Sequence, residues 1–71
     1  MRYTLLAYNK DKDIYDGIMG SDKKEELETL AGELVYKLRN DELKDKSGES
    51  YDWLELWDEE DDNGINDIVY C

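Results

Sequence analysis

The sequence predicts a small α+β domain, with strands and one helix in the order β-β-α-β-β, and three observations predict it. An apolar stripe with helical spacing runs through residues 22–40. The segment YDWLELW alternates between two sets of side chains, as a strand does. The Asn63-Gly64 pair stands between two apolar runs, the strongest short-range signal for a hairpin. Together they imply three or four mainly antiparallel strands with one helix laid on one face.

The first segment, MRYTLLAY, carries β-favouring Tyr, Thr and Leu without a breaker and ends at the polar cluster NKDKD, which reads as a hairpin loop. IYDGIM follows as a second strand, with Ile14, Asp16 and Ile18 on one face and Tyr15, Gly17 and Met19 on the other; Gly17 weakens it. Ser21 or Asp22 is placed to cap the helix, and Glu25 stands three residues after Asp22, as in a capping box. Leu27, Leu30, Ala31, Leu34 and Leu38 form one stripe, broadened by Val35, and Lys37 and Arg39 complement the helix dipole at its end. A rod from Asp22 to Asn40 spans about 28 Å at about 1.5 Å per residue. Its polar face carries Glu25, Glu26, Glu28 and Glu33, which suits a core-facing helix better than one lying on a membrane.

After the polar loop DELKDKSGES, the third strand sets Tyr51, Trp53, Glu55 and Trp57 on one side against Asp52, Leu54, Leu56 and Asp58 on the other. INDIVYC is the last strand. One helix covers one face of a sheet, so one side of YDWLELW must look away from it. If Leu54 and Leu56 meet the helical leucines, Tyr51, Trp53 and Trp57 lie outside with Glu55 among them. The opposite choice buries Glu55 without an obvious cation, at a cost of several kcal/mol. Large aromatics are nonetheless usual core residues, which keeps that second arrangement open.

Composition bounds the function. The chain has 71 residues, a net charge of -11, no histidine, no proline and one cysteine. A lone Cys71 argues against a disulfide framework and suits a reducing compartment. No stretch resembles a secretory leader or approaches the roughly 20 apolar residues of a membrane span, so a soluble, cytoplasmic protein is expected. The charge is an end rather than an average: residues 49–71 hold nine acids and no base. A field of one sign repels nucleic acid and anionic lipid and speeds encounter with basic surfaces, which disfavours direct binding to DNA, RNA or membrane.

Each motif has a competing plain reading. Aligning Gly64 with the glycine of a calcium-binding EF-hand loop puts Tyr70 where the bidentate glutamate belongs, and the flanking segments read as strands rather than helices. Weak divalent-cation binding by the acids is the most that alignment supports. Without histidine the usual general base is missing, the few serines and threonines lack an activating group, and the five glycines are scattered; no catalytic residue, cofactor or metal site is expected. What remains is acid interleaved with aromatic: Tyr51, Asp52, Trp53, Glu55 and Trp57, then Asp58, Glu59, Glu60, Asp61 and Asp62. Charge supplies steering, and Trp and Tyr supply binding energy once desolvated, so this is a candidate surface for a basic partner. Alternate strand positions repeat at about 6.6–6.8 Å, comparable with neighbouring phosphates along a nucleic-acid strand. The plain reading is a solvated turn that blocks edge-to-edge aggregation.

In size, charge and lack of catalytic residues the chain is similar to the DNA-mimic inhibitors that bacteriophages direct at restriction, CRISPR or repair enzymes. That likeness implies a basic, nucleic-acid-binding partner protein. The second expectation is a structural or regulatory module that forms a homodimer or docks through the Tyr51-Trp53-Trp57 face, with the acids serving solubility. A divalent-cation-responsive domain comes third and an enzyme last.

Overall fold

The computed structural model describes residues 2–61 and 67–71. Strand β1 (Tyr3–Asn9), strand β2 (Ile14–Ser21), helix α1 (Lys24–Arg39), strand β3 (Trp53–Asp58) and strand β4 (Ile68–Tyr70) follow in chain order. The four strands make one antiparallel sheet ordered β2-β1-β3-β4. β1 is therefore central, and the chain leaves on β2, crosses by α1 and returns on β3 at the other side of β1. The β2-β1 hairpin closes on Asn9↔Ile14, which leaves residues 10–13 as its loop. The turn expected at Asn63-Gly64 lies outside the described residues.

Parity sorts the two faces. Cross-strand partners share a face, so Leu5↔Leu56 and Ala7↔Leu54 lie together on the helix side. There Leu5, Ala7, Leu54 and Leu56 bury against Leu27 and Ala31 of α1, with Leu30, Leu34 and Val35 partly buried beside them. The helical stripe thus meets the aliphatic side of YDWLELW. Trp53, Glu55 and Trp57 face the other way, on the side that no helix among the described residues covers.

Three local details differ from the sequence expectation. The N-cap of α1 is Lys23, with no side-chain cap; Ser21 instead accepts from the Lys23 N–H at 3.0 Å and donates to Glu26 at 2.9 Å. Asp22 is spent on the Arg2 N–H at 2.9 Å, so the reciprocal partner is Glu26 rather than Glu25. On β2 the register shifts between Leu5 and Leu6, which pairs Met19 with Leu5 and moves it off the face of Tyr15 and Gly17. Strict alternation fails there because a bulge adds a residue to one strand. Lastly, β3 begins at Trp53, so the alternation does not reach Tyr51.

The loop from 41 to 52 is more ordered than a polar connector needs to be. Helix α1 ends in a Schellman pattern, Glu42 N–H to Lys37 O at 2.8 Å and Asp41 N–H to Leu38 O at 3.1 Å, with Asp41 in the left-handed region at φ 59°. Asp45 then gathers the loop. One carboxylate oxygen accepts from the Ser47 N–H, the Ser47 hydroxyl and the Glu49 N–H, and the other faces Lys12 at 3.4 Å. The Ser47 hydroxyl above all, with those backbone N–H groups and Lys12, holds the Asp45 carboxyl far below the usual range. This knot ties the loop to the β1-β2 hairpin, where buried Asn9 donates to Glu49 at 3.2 Å.

Candidate functional site

The outer face of the sheet is roofed by its own aromatic side chains. Tyr8 of β1 pairs with Tyr15 of β2 and with Trp53 of β3, so the three share that face. The Tyr8 ring stacks on Trp53 with centroids 4.5 Å apart and meets Tyr15 at 4.6 Å. Trp57, two rows along on the same face, closes on Tyr15 at 5.1 Å. Beneath them Leu6, whose parity points it away from the helix, is only 9% exposed. A sheet face without a helix must cover its apolar residues by some other means, and large rings with a polar edge do so while meeting water.

Glu55 is the centre of this layer. Its carboxylate accepts from the Trp53 indole N–H at 2.7 Å through one oxygen and from the Trp57 indole N–H at 3.0 Å through the other. The two tryptophans are thus locked, each by its one donor, on either side of a single acid. Burial, the negative charge of Glu55 and a hydrogen bond that the phenol donates to Glu55 push the Tyr15 phenol upward. Among the described residues Glu55 takes part in no ion pair. The Tyr15 phenol is a third donor to Glu55, and a carboxylate has roughly four acceptor sites, so these three leave room for one more.

The Tyr8 end of the layer adds more acid. Tyr8 donates to Asp13 at 2.5 Å, and that bond, with burial and with Asp13 and Asp52 nearby, pushes its phenol up to about 12. Asp52 itself accepts from the Lys10 N–H at 2.5 Å. Tyr15, at 44% exposure, is the most open of these rings whose exposure decides access from solvent.

The candidate residues do not all meet. Tyr51 turns to the helix side, packs against the core and donates to Asp16 at 2.7 Å; burial first, then Asp16, pushes its phenol up to about 12. It is a structural residue rather than part of the outer face. Asp58 is 8% exposed and shares the parity of Leu54 and Leu56. Both of its oxygens accept from Arg2, at 3.1 Å each, and this guanidinium holds the Asp58 carboxyl below the usual range. Arg2 also lies 3.5 Å from Glu60. The acidic run therefore has a cation after all, supplied from the other end of the chain. Glu59 and Glu60 are exposed, Asp61 is half-buried, and Asp62 lies outside the described residues.

Two residues that complete the layer were missed from the sequence. Tyr8 has opposite parity to Leu5 and Ala7, and a hairpin with a four-residue loop at 10–13 brings Tyr15 opposite it; both signals were legible once the hairpin was drawn. On the outer side of β3 the positions are Trp, Glu, Trp, so one carboxylate, not a row of them, stands on that face. Chemically the arrangement offers flat apolar surface, hydrogen-bond acceptors and negative charge. A concavity of about 440 Å³ opens between β2 and the 41–52 loop, lined by Lys12, Asp16, Lys46, Ser47 and Tyr51 among others. No helix among the described residues is long and apolar enough to cross a membrane. Compared with protein-family models, curated proteins and solved structures, the chain matches none.

Proposed function

We propose that this chain is a small acidic protein-binding module that occupies the groove of a basic, nucleic-acid-binding partner in the cytoplasm, in the manner of a phage inhibitor. The observation that carries the reading is the helix-free sheet face, where Trp53, Trp57, Tyr8 and Tyr15 surround Glu55. Exposed Glu59 and Glu60 follow directly after β3. Aromatic surface supplies contact energy when water leaves it, and a nine-to-none excess of acids over bases in residues 49–71 supplies the steering. The role is one of binding, not turnover.

The experiment is retention of proteins from a lysate of the source cell on the immobilised chain, followed by purification of what is retained. The partner should be basic, should be released by salt and by competing DNA or RNA, and should be lost when Glu59 and Glu60 are both changed to Lys. Retention indifferent to salt, to nucleic acid and to that reversal overturns the proposal.

A second reading is favoured by one specific observation. β2 is an edge strand with Ile14, Tyr15, Ile18 and Met19 all exposed, and it carries neither lysine nor proline. Such an edge is open to an added strand. On this reading the protein forms a homodimer, and sedimentation equilibrium should show a concentration-dependent dimer that Ile18→Lys abolishes; a monomer at all concentrations excludes it.

A further inference from the structure

We infer that Glu55 is the seat for one arginine side chain of the basic partner, flanked by Trp53, Trp57 and Tyr15. The inference rests on the proposed function and names the atom group at which that function would operate.

The carboxylate is oriented before any partner arrives. Two indole N–H groups, from residues on either side along the same strand, hold its two oxygens at 2.7 and 3.0 Å. Both donors are neutral, so they fix direction without cancelling charge. Buried Asp58 and half-buried Asp45 have cations, Arg2 and Lys12, whereas half-buried Asp16 is served by the neutral Tyr51 hydroxyl. Glu55 has no such partner among the described residues. A charge left uncompensated on an apolar surface attracts a cation more strongly than the same charge in water, because little solvent screens it.

The surroundings favour guanidinium over ammonium. Arginine is planar, more weakly hydrated than lysine, and stacks on aromatic faces while donating in the plane. Tyr15 is 44% exposed and lies 5.1 Å from Trp57, so a flat cation reaching Glu55 passes over open ring surface. Gly17, in the same cross-strand row as Leu6 and Glu55, leaves open space, with nothing within 4 Å of where a Cβ would stand. That gap admits the aliphatic stem of a long side chain, which would lie over the row. Asp13 and Asp52 at the Tyr8 end add negative potential that guides the approach.

The two indole N–H groups are also the reporters of the test. The full-length ¹⁵N-labelled chain has two tryptophans, hence two indole Nε1–H signals, and both donate to Glu55. It is titrated with acetyl-Gly-Arg-Gly-amide, with the lysine peptide, and with the neutral citrulline peptide. The arginine peptide should move both indole signals progressively, the lysine peptide less, and the citrulline peptide not at all. Glu55→Gln should weaken the arginine response about tenfold or more, as loss of a charge partner does. Glu33→Gln, on the exposed polar face of α1, should leave it unchanged. The wild-type titration stands whether or not a variant folds.

The inference is overturned if the arginine peptide moves only backbone signals of residues 59–61, or if Glu55→Gln responds as wild type does. In the first case the cation docks on the acidic run, in the second Glu55 is not its anchor, and in both the proposed function survives. Indole signals that move with the chain's own concentration, without peptide, overturn it in favour of a second copy as the occupant. A purified basic partner that fails to bind the wild-type chain defeats the proposed function itself, independently of these signals.

Discussion

Asp58 shares its side of β3 with Leu54 and Leu56, and that parity governs it more than its place in an acidic run. An unpaired carboxylate at 8% exposure would be costly, and the chain resolves this with Arg2, fifty-six residues away in sequence. The separation explains why the pairing was not legible: nothing local to residues 57–64 reveals a cation at the far terminus. Tyr51 was misplaced for a related reason. Alternation extends only as far as the strand, and the Asp52 N–H bonds to the Tyr8 carbonyl at 2.8 Å just before β3 begins. By contrast, the outward placement of Trp53 and Trp57 followed from asking what Glu55 would meet in a core. Asp58→Asn keeps the shape and removes the charge that Arg2 clasps. It should lower the melting temperature by several degrees at neutral pH, and Arg2→Ala should do the same, with the double variant little worse than either single one. Calorimetry on the three variants checks this.

Helix α1 was the most legible element, because its spacing needs no knowledge of the rest of the chain. Its ends were less so, since Ser21 and Asp22 each found work outside the cap position. The helix offers two opposite substitutions. Gly32 faces solvent with nothing within 4 Å of a would-be Cβ, so Gly32→Ala should raise stability by about 0.5–1 kcal/mol through the unfolded chain's lost freedom. On the facing strand, Leu54 is fully buried against the helix, and Leu54→Ala should cost about 2–5 kcal/mol. Urea denaturation monitored by circular dichroism measures both. The β1-β2 hairpin was foreseen from its polar loop, but the bulge opposite Leu5 and Leu6 was not, because a single inserted residue leaves no compositional mark.

Taken whole, the molecule titrates from both ends of the pH range. Asp41, Asp45 and Asp58 are all held below the ordinary value of 3.8, by Ser50, Ser47 and Arg2 respectively as the leading partners. Their contribution is complete above that value and is lost as pH falls through their lower folded values. Tyr8 and Tyr51 are raised from 10.0 to about 12, so their contribution is complete below pH 10 and fades as pH rises towards 12. The midpoint of urea unfolding should therefore be flat across neutral pH and fall on both sides. Tyr51→Phe should flatten part of the alkaline fall. Most of the fold's layers and the identity of the exposed face could be read from periodicity and parity. The aromatic roof could not be read from one segment, because it is assembled by three strands at once.

The central claim is that the acid-and-aromatic outer face grips a basic protein. Its most direct test is the affinity of the purified partner for wild type and for Trp53→Ala, measured by calorimetric titration at low and at physiological salt. Affinity should fall about tenfold or more with added salt and about tenfold or more again on losing Trp53, with the variant still folded. Equal affinity for wild type and folded Trp53→Ala, unchanged by salt, would contradict it.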